Sequence, residues 1–448
     1  MRPGALGEGE IEEEKNMKSV LRVASIGMTV AAWCAAAAAA SAGTTAPAAP
    51  VVSVREGNQV DVATGGATAT FTVSPPRPVV VVDERYVLSN DVPDRWAKGT
   101  HLKGCYSPST VLPDCLVPGS VVVKRIDGTV LERDKDYRLD ERWASLGRID
   151  GGRIPDKAEV LVSYHVGRMR LDGIDVTRDG KVVRVEGEPA KYGAVLPPVT
   201  ADGRRVASVF MANTSKVVEP WQVFTVEGPF PEPTREEVDR RAGLVLRTLD
   251  KLRRGEPVTI VAWGDSVTAG GDVSKDEAFP QAFAAQLRKR FPKATVTLVN
   301  AGIGATHTDM RLPNLPKDVL AHRPDLVTVE FVNDMPYSAE HYRKNYERIV
   351  REIRDEGGAE VLFVTPHFTM PLMMGLEHPR GGETRANVQR MREIGAEKRI
   401  GVADASRRWE HLEREGIPYT TCLANGINHP DARGHQMFVA ELMSFFPE

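Results

Sequence analysis

The chain has 448 residues, 42% hydrophobic and 27% charged, which is ordinary globular usage and enough length for more than one core. Its 58 basic and 61 acidic residues leave a formal net charge of -3, without the basic excess expected of a chain that binds nucleic acid or an anionic membrane surface. Composition therefore excludes a disordered chain and gives no support to a nucleic-acid partner.

The N-terminus reads as a targeting segment. Met17-Lys-Ser-Val-Leu-Arg22 is a short basic stretch, followed by an alanine-rich apolar run through Trp33 and Cys34 to Ala40-Ser-Ala42. That order predicts a leader and signal peptide over residues 1–42, with the start at Met17 and a cut after Ala42. A secreted or periplasmic mature chain without stable membrane insertion would follow. An uncleaved anchor is the alternative, and Trp33 beside Cys34 is a poor fit to a lipoprotein cysteine.

Residues 43–50 form an Ala/Pro/Thr linker. From 51 to 228 the texture is β: Val79–Val82, Val121–Val123, Val160–Val162 and Val182-Val183 are short β-branched runs. Asp127-Gly128, Asp179-Gly180 and Asp202-Gly203 fall between them as turn pairs, so hairpins in a sandwich or a pair of small β modules are expected. Trp96, Tyr106, Trp143 and Tyr164 either fill this core or form a sugar-stacking platform. Cys105 and Cys115 flank a Pro/Ser-rich loop and are placed to close a small disulfide, leaving Cys422 as an odd thiol.

Three prolines in Pro229–Pro233 end the β-rich domain, because they continue neither regular element. Over 234–448 the pattern alternates. Thr234-Arg-Glu-Glu237 is a capping box, with Val238, Ala242, Val245, Leu246, Leu249 and Leu252 following at helical spacing. Further helices are predicted over 278–290, 339–355 and 383–398, with a last one striped by Phe438, Leu442 and Phe445. Strands are predicted at 258–264, 295–299, 326–331, 361–365 and 401–403. Such alternation is that of βαβ units in a parallel sheet.

The chemistry sits at the strand ends. Val258-Thr-Ile-Val-Ala-Trp-Gly-Asp-Ser266 delivers a serine into a small-residue turn, the position of a nucleophile. Leu298-Val-Asn-Ala-Gly302 and Leu326-Val-Thr-Val-Glu-Phe-Val-Asn333 end two more strands, offering the Gly302 N–H and the Asn333 amide as oxyanion donors beside the N–H of Ser266. Asn425-Gly-Ile-Asn-His429 precedes the last helix and offers His429 as general base. Each motif alone is an ordinary turn, cap or helix start; four in this order are not. No Cys-x-x-Cys or His-Glu-x-x-His pattern points to a metal.

From Thr234 onward these blocks resemble the SGNH/GDSL hydrolases. The resemblance implies a flavodoxin-like three-layer α/β/α domain with a parallel sheet, preceded here by a β-rich, sandwich-like accessory domain. It further implies a serine esterase working through an acyl-enzyme, with no metal or organic cofactor, in which Ser266 and His429 are catalytic and Ser266, Gly302 and Asn333 form the oxyanion hole. Gly-x-Ser-x-Gly, the elbow of the larger α/β-hydrolases, is absent. Two positions depart from the family pattern. Phe331 stands where a glycine is usual, and Gly426 stands where the family has the aspartate that orients the histidine. Asn425 or a backbone carbonyl is then expected to hold the ring, in a Ser-His dyad of reduced activity.

The substrate stays open at this level. A small-molecule or polysaccharide ester is expected, with short acyl (acetyl) esters of carbohydrate first. Lipase or lysophospholipase activity and O-acyl transfer are the alternatives on the same fold. A non-catalytic carbohydrate-binding or envelope-scaffolding protein is the reading from another class. The Met-rich segment Phe368–Leu376 would line an acyl pocket, act as a lid, or pack on the neighbouring domain. His367 just before it lies near the expected rim of the site, where it would touch substrate.

Overall fold

A computed structural model describes residues 50–448 apart from Gly66. The leader, signal-peptide and Cys34 readings lie outside the described residues. Among the described residues no helix is long and apolar enough to cross a membrane.

The second half of the chain builds a five-stranded parallel sheet. Its strands are β1 (Val258–Gly264), β2 (Val296–Gly302), β3 (Leu326–Glu330), β4 (Glu360–Val364) and β5 (Gly401–Ala403), in spatial order β2-β1-β3-β4-β5. This is the doubly wound order in which ligands bind beyond the carboxyl ends of the strands, at the point between β1 and β3 where the strand order reverses.

Both faces of the sheet are apolar because both are covered, as parallel sheets require. Ile260, Leu326, Leu362 and Val364 face one layer with Leu249, Leu252, Phe283, Phe438 and Leu442. Val261, Trp263, Val327, Val329 and Phe363 face the other, with Tyr342, Tyr346, Ile349, Met391 and Ile394. The expected α/β/α layering is thus present. One predicted helix differs: the run after the capping box is two helices, Arg235–Ala242 and Leu246–Arg254, parted at Gly243. The break lets Ala242, Val245, Leu249 and Leu252 all reach the same core.

Among the described residues the β-rich half holds four small antiparallel sheets, of three, four, three and three strands, sharing two cores in pairs, as expected of a β-rich, sandwich-like region. Its turns fall where the Asp-Gly pairs lie; Gly128 and Gly180 are left-handed, and Thr129 N–H donates to the Asp127 carboxylate at 2.9 Å. Trp143 and Tyr164 are core residues, whereas Trp96 and Tyr106 are exposed. Cys105, Cys115 and Cys422 are buried free thiols, so the expected Cys105–Cys115 disulfide is not formed. Instead the Cys115 thiol donates to the Leu112 carbonyl at 3.4 Å, in a core cluster that excludes water.

That cluster also holds Met370 and Ile427 from the second half of the chain, so the β-rich region packs on the two loops that follow β4 and precede the last helix. Residues 49–448 form one compact unit.

Candidate active site

The nucleophile turn follows directly from β1. Asp265 caps the one-turn helix Ser266–Ala269 by accepting from Val267 N–H at 3.0 Å, and its other oxygen accepts from Asn333 N–H at 3.2 Å. One buried carboxyl therefore ties the end of β1 to the end of β3. Burial pushes it up to about 6, against the hydrogen bonds it accepts. Glu330 and Asp334 lie behind it. Thr268 donates to Glu330, and Thr308 N–H donates to Asp334 at 3.0 Å; desolvation raises both carboxyls, Asp334 to about 7.

Ser266 and His429 are 163 residues apart in sequence and meet at one rim of the sheet, with His429 Nε2 2.9 Å from Ser266 Oγ. The ring's other nitrogen, Nδ1, lies 2.6 Å from a carboxylate oxygen of Asp272. With Nδ1 carrying the proton, Nε2 is free to accept from the serine hydroxyl. Asp272 is nearly inaccessible to water, its side chain only 1% exposed. Burial pushes its carboxyl up, yet the hydrogen bonds from His429 and Ser109 outweigh that and hold it below its ordinary value.

Asp272 was not among the residues expected from sequence. It sits six residues after the nucleophile in Gly270-Gly271-Asp272, where Gly270 and Asp272 both have left-handed backbone. A Cβ at Gly271 would stand 2.8 Å from His429 Cε1, so the glycine is what lets the ring come down on the turn. A carboxylate in a glycine turn beside the serine was the available signal, whereas the family pattern places the acid three residues before the histidine.

Asn425, expected to orient the imidazole, does not touch it. Its buried side-chain oxygen accepts from the backbone N–H groups of Ile427, Asn428 and His429, at 2.9, 2.9 and 3.0 Å, and so shapes the loop that carries the histidine. Gly426 has φ +68°, and a Cβ there would lie 3.2 Å from Pro113 and 3.3 Å from Leu112 of the β-rich region. A side chain at 426 would therefore be strained by the left-handed backbone and would have to shift that packing by a few tenths of an ångström.

Of the expected oxyanion donors, Asn333 lines the same cavity as Ser266; its amide gives one proton to the Thr306 carbonyl at 2.9 Å and has a second to offer. Gly302 is not available, because its N–H donates to Asn300 Oδ1 at 2.9 Å. The residues of that turn on the cavity wall are Gly304 and Ala305, and a Cβ at Gly304 would lie 3.8 Å from Ser266 Cβ. Phe331, at the departing glycine position, is fully buried against Trp263 with ring centroids 4.9 Å apart, so it serves the core beneath the site.

His367 is likewise not at the rim. Fully buried, it bonds through Nε2 to the Asn428 carbonyl at 2.7 Å, and burial drives its basicity well down, so a neutral ring braces the histidine loop. The Met-rich segment divides. Met370 packs in the β-rich core and donates its N–H to Ile427, whereas Met373 is exposed and lines the cavity.

The cavity over Ser266 has a volume of about 760 Å³, and the β-rich region supplies part of its wall through Trp96, Ser109 and Thr110. Among the described residues no group of three or more His, Cys, Asp or Glu side chains stands ready to hold a metal ion.

The sequence profile of the GDSL-like lipase/acylhydrolase family matches residues 262–437. No curated protein sequence matches the chain. Among solved structures it is similar to a two-domain esterase active on acetylated mannans, at 24% identity over 45% of this chain and 52% of that one, with a TM-score of 0.39. It is also similar to an acetyl xylan esterase from Geobacillus stearothermophilus, at 17% identity over 43% of this chain and 96% of that one, TM-score 0.35. A third is an alpha/beta hydrolase enzyme from the metagenome of Lake Arreo, Spain, at 20% identity over 42% and 94%, TM-score 0.35. The chain spans about half the length of the two-domain esterase. The profile match, on a 2-1-3-4-5 parallel sheet, makes residues 262–437 a member of the GDSL-like lipase/acylhydrolase family.

Proposed function

We propose that the protein is a serine esterase that cleaves short acyl esters of carbohydrate through an acyl-enzyme. The observation that carries this reading is the continuous Asp272–His429–Ser266 hydrogen-bonded chain at the floor of an open cavity. His429 Nε2 takes the hydroxyl proton as Ser266 Oγ attacks the ester carbonyl, and Asp272 stabilises the imidazolium that forms. Negative charge then develops on the former carbonyl oxygen. The Asn333 amide, the Ser266 N–H and the Gly304–Ala305 turn supply donors to it. His429 returns the proton to the departing alcohol, and water resolves the acyl-enzyme by the same route.

Acetyl is favoured as the acyl group because Gly304 and Ala305 stand on the wall beside the nucleophile. Sugar is favoured as the alcohol because Trp96, 41% exposed, lies on the cavity wall with its ring held edge-on by the buried Trp143 at 5.2 Å. An indole fixed in that way suits the apolar face of a pyranose. Exposed Met373 on the same cavity lining favours a longer acyl chain, the second reading. Export follows from the basic and apolar stretches over 17–42, and N-terminal sequencing of the mature protein reads the cut after Ala42 directly.

The test is a panel of p-nitrophenyl esters of increasing chain length together with acetylated oligosaccharides. Acetyl esters should turn over fastest, Ser266→Ala should abolish the burst of p-nitrophenol, and Asn333→Ala should lower kcat about a hundred- to thousandfold. Turnover retained in Ser266→Ala would end the proposal; preference for long chains would favour the lipase reading.

A further inference from the structure

We infer that the β-rich region is part of the catalytic machinery, with Ser109 as the positioning residue that fixes Asp272; this rests on the esterase reading of the site. Ser109 Oγ donates to Asp272 Oδ2 at 2.7 Å, the same oxygen that takes the His429 Nδ1 proton at 2.6 Å. A carboxylate held only by the ring is free to turn about its own side-chain bonds. With a second donor on the same oxygen, from a different part of the chain, its orientation is set.

The loop that presents Ser109 is built to hold it there. Tyr106 and Val111 pair across its base, and Leu112 N–H donates to the Cys105 carbonyl at 2.8 Å. At the tip, the Ser107 N–H and hydroxyl both donate to the Thr110 carbonyl at 2.7 Å, while Thr110 N–H donates back to Ser107 Oγ at 3.1 Å. Below the tip, Cys105, Val111, Leu112 and Cys115 are core residues of the β-rich region. Ser109 is thus an exposed hydroxyl on an internally tied turn, delivered to a carboxylate 163 residues away.

The same loop meets both turns beside the ring. Leu112 and Pro113 close over Gly426, where a Cβ would lie 3.3 and 3.2 Å from them on a left-handed backbone, while Ser109, three and four residues earlier, meets the carboxylate that Asp272 brings from the other side of the ring. A Ser109–Asp272–His429–Ser266 relay therefore crosses from one region to the other. The other ionisable groups around the ring, Asp265, His367 and His435, are buried and have no bond to Ser109.

The test uses the full chain with Ser109→Ala and Ser109→Thr, read on p-nitrophenyl acetate and by the rate at which a fluorophosphonate labels Ser266. In Ser109→Ala, kcat and the labelling rate should fall about five- to tenfold with KM little changed, the order of a weakened charge-assisted hydrogen bond. Because the lost donor lowers the Asp272 carboxyl, the acidic limb of the kcat/KM profile should move to higher pH. Ser109→Thr, which keeps the hydroxyl, should restore both. Equal rates and equal pH profiles in parent and Ser109→Ala, with melting temperatures matched, would overturn this inference alone. A parent chain that neither turns over esters nor labels would remove the esterase reading and this inference together.

Discussion

Two glycine turns flank the imidazole of His429, and they differ in what packs behind them. Gly270-Gly271-Asp272 lies directly against the ring, with a Cβ at Gly271 only 2.8 Å from His429 Cε1, and carries the carboxylate hydrogen-bonded to Nδ1. Asn425-Gly426, the place where related hydrolases carry it, is pressed under Leu112 and Pro113 and carries none. The comparison teaches that the chemical requirement belongs to the ring nitrogen and not to a sequence position. A carboxylate reaching Nδ1 from either side satisfies it, and here it arrives from the turn beside Ser266.

The sharpest way to break this comparison is Asp272→Asn. It removes the charge that stabilises the imidazolium and offers the ring an amide in place of an acceptor, so kcat should fall about a thousand- to ten-thousandfold with the fold retained. Turnover within tenfold of the parent would return the role to some other group. Next in size is Asn425→Ala. Three backbone N–H groups of the histidine loop would lose their acceptor, at roughly 2–4 kcal/mol in unfolding free energy by urea denaturation, with kcat falling as the loop loosens. If stability is unchanged while activity is lost, Asn425 acts on the chemistry directly and the contrast between the turns fails.

Gly426→Asp is the smallest and the most specific. Placed in the Asp272→Asn background it restores the family's residue, yet it should not restore turnover. The backbone is left-handed and the new Cβ would crowd Pro113 and Leu112, so a loss of roughly 1–3 kcal/mol of stability is expected instead. Recovery of activity in the double variant would show that the position was free all along. In the parent chain Asp272 is held below its ordinary value. Its contribution to stability is therefore present above the unfolded carboxyl value, about 3.9, and is lost as pH falls through the lower folded one.

The strand ends at Gly264 and Glu330 were legible because a parallel strand buried on both faces leaves a nearly continuous apolar run, and the half-buried edge strand ending at Gly302 was legible by the small-residue turn at its exit. Ser266, Asn333 and His429 lie at those exits or in a turn-rich loop, so local pattern was enough to find them. The Gly302 N–H was misread because its partner, the Asn300 side chain two residues back, depends on the pleat of the strand end. The four small β sheets were legible as a sandwich-like region but not in which of them pair, since hairpin signals state neighbours and not how sheets pack.

Sequence by itself therefore determined the alternating half of the chain and nominated the serine, amide and histidine of the proposed site. Tertiary structure decided the acid. Asp272 lies six residues after Ser266, yet its bond to His429, like the approach of Ser109 and Trp96 to the site, is made across long stretches of chain, and so is the packing of Leu112 and Pro113 over Gly426. Excluded volume between distant segments has no periodicity and leaves no local signature, so only the packed molecule could state it.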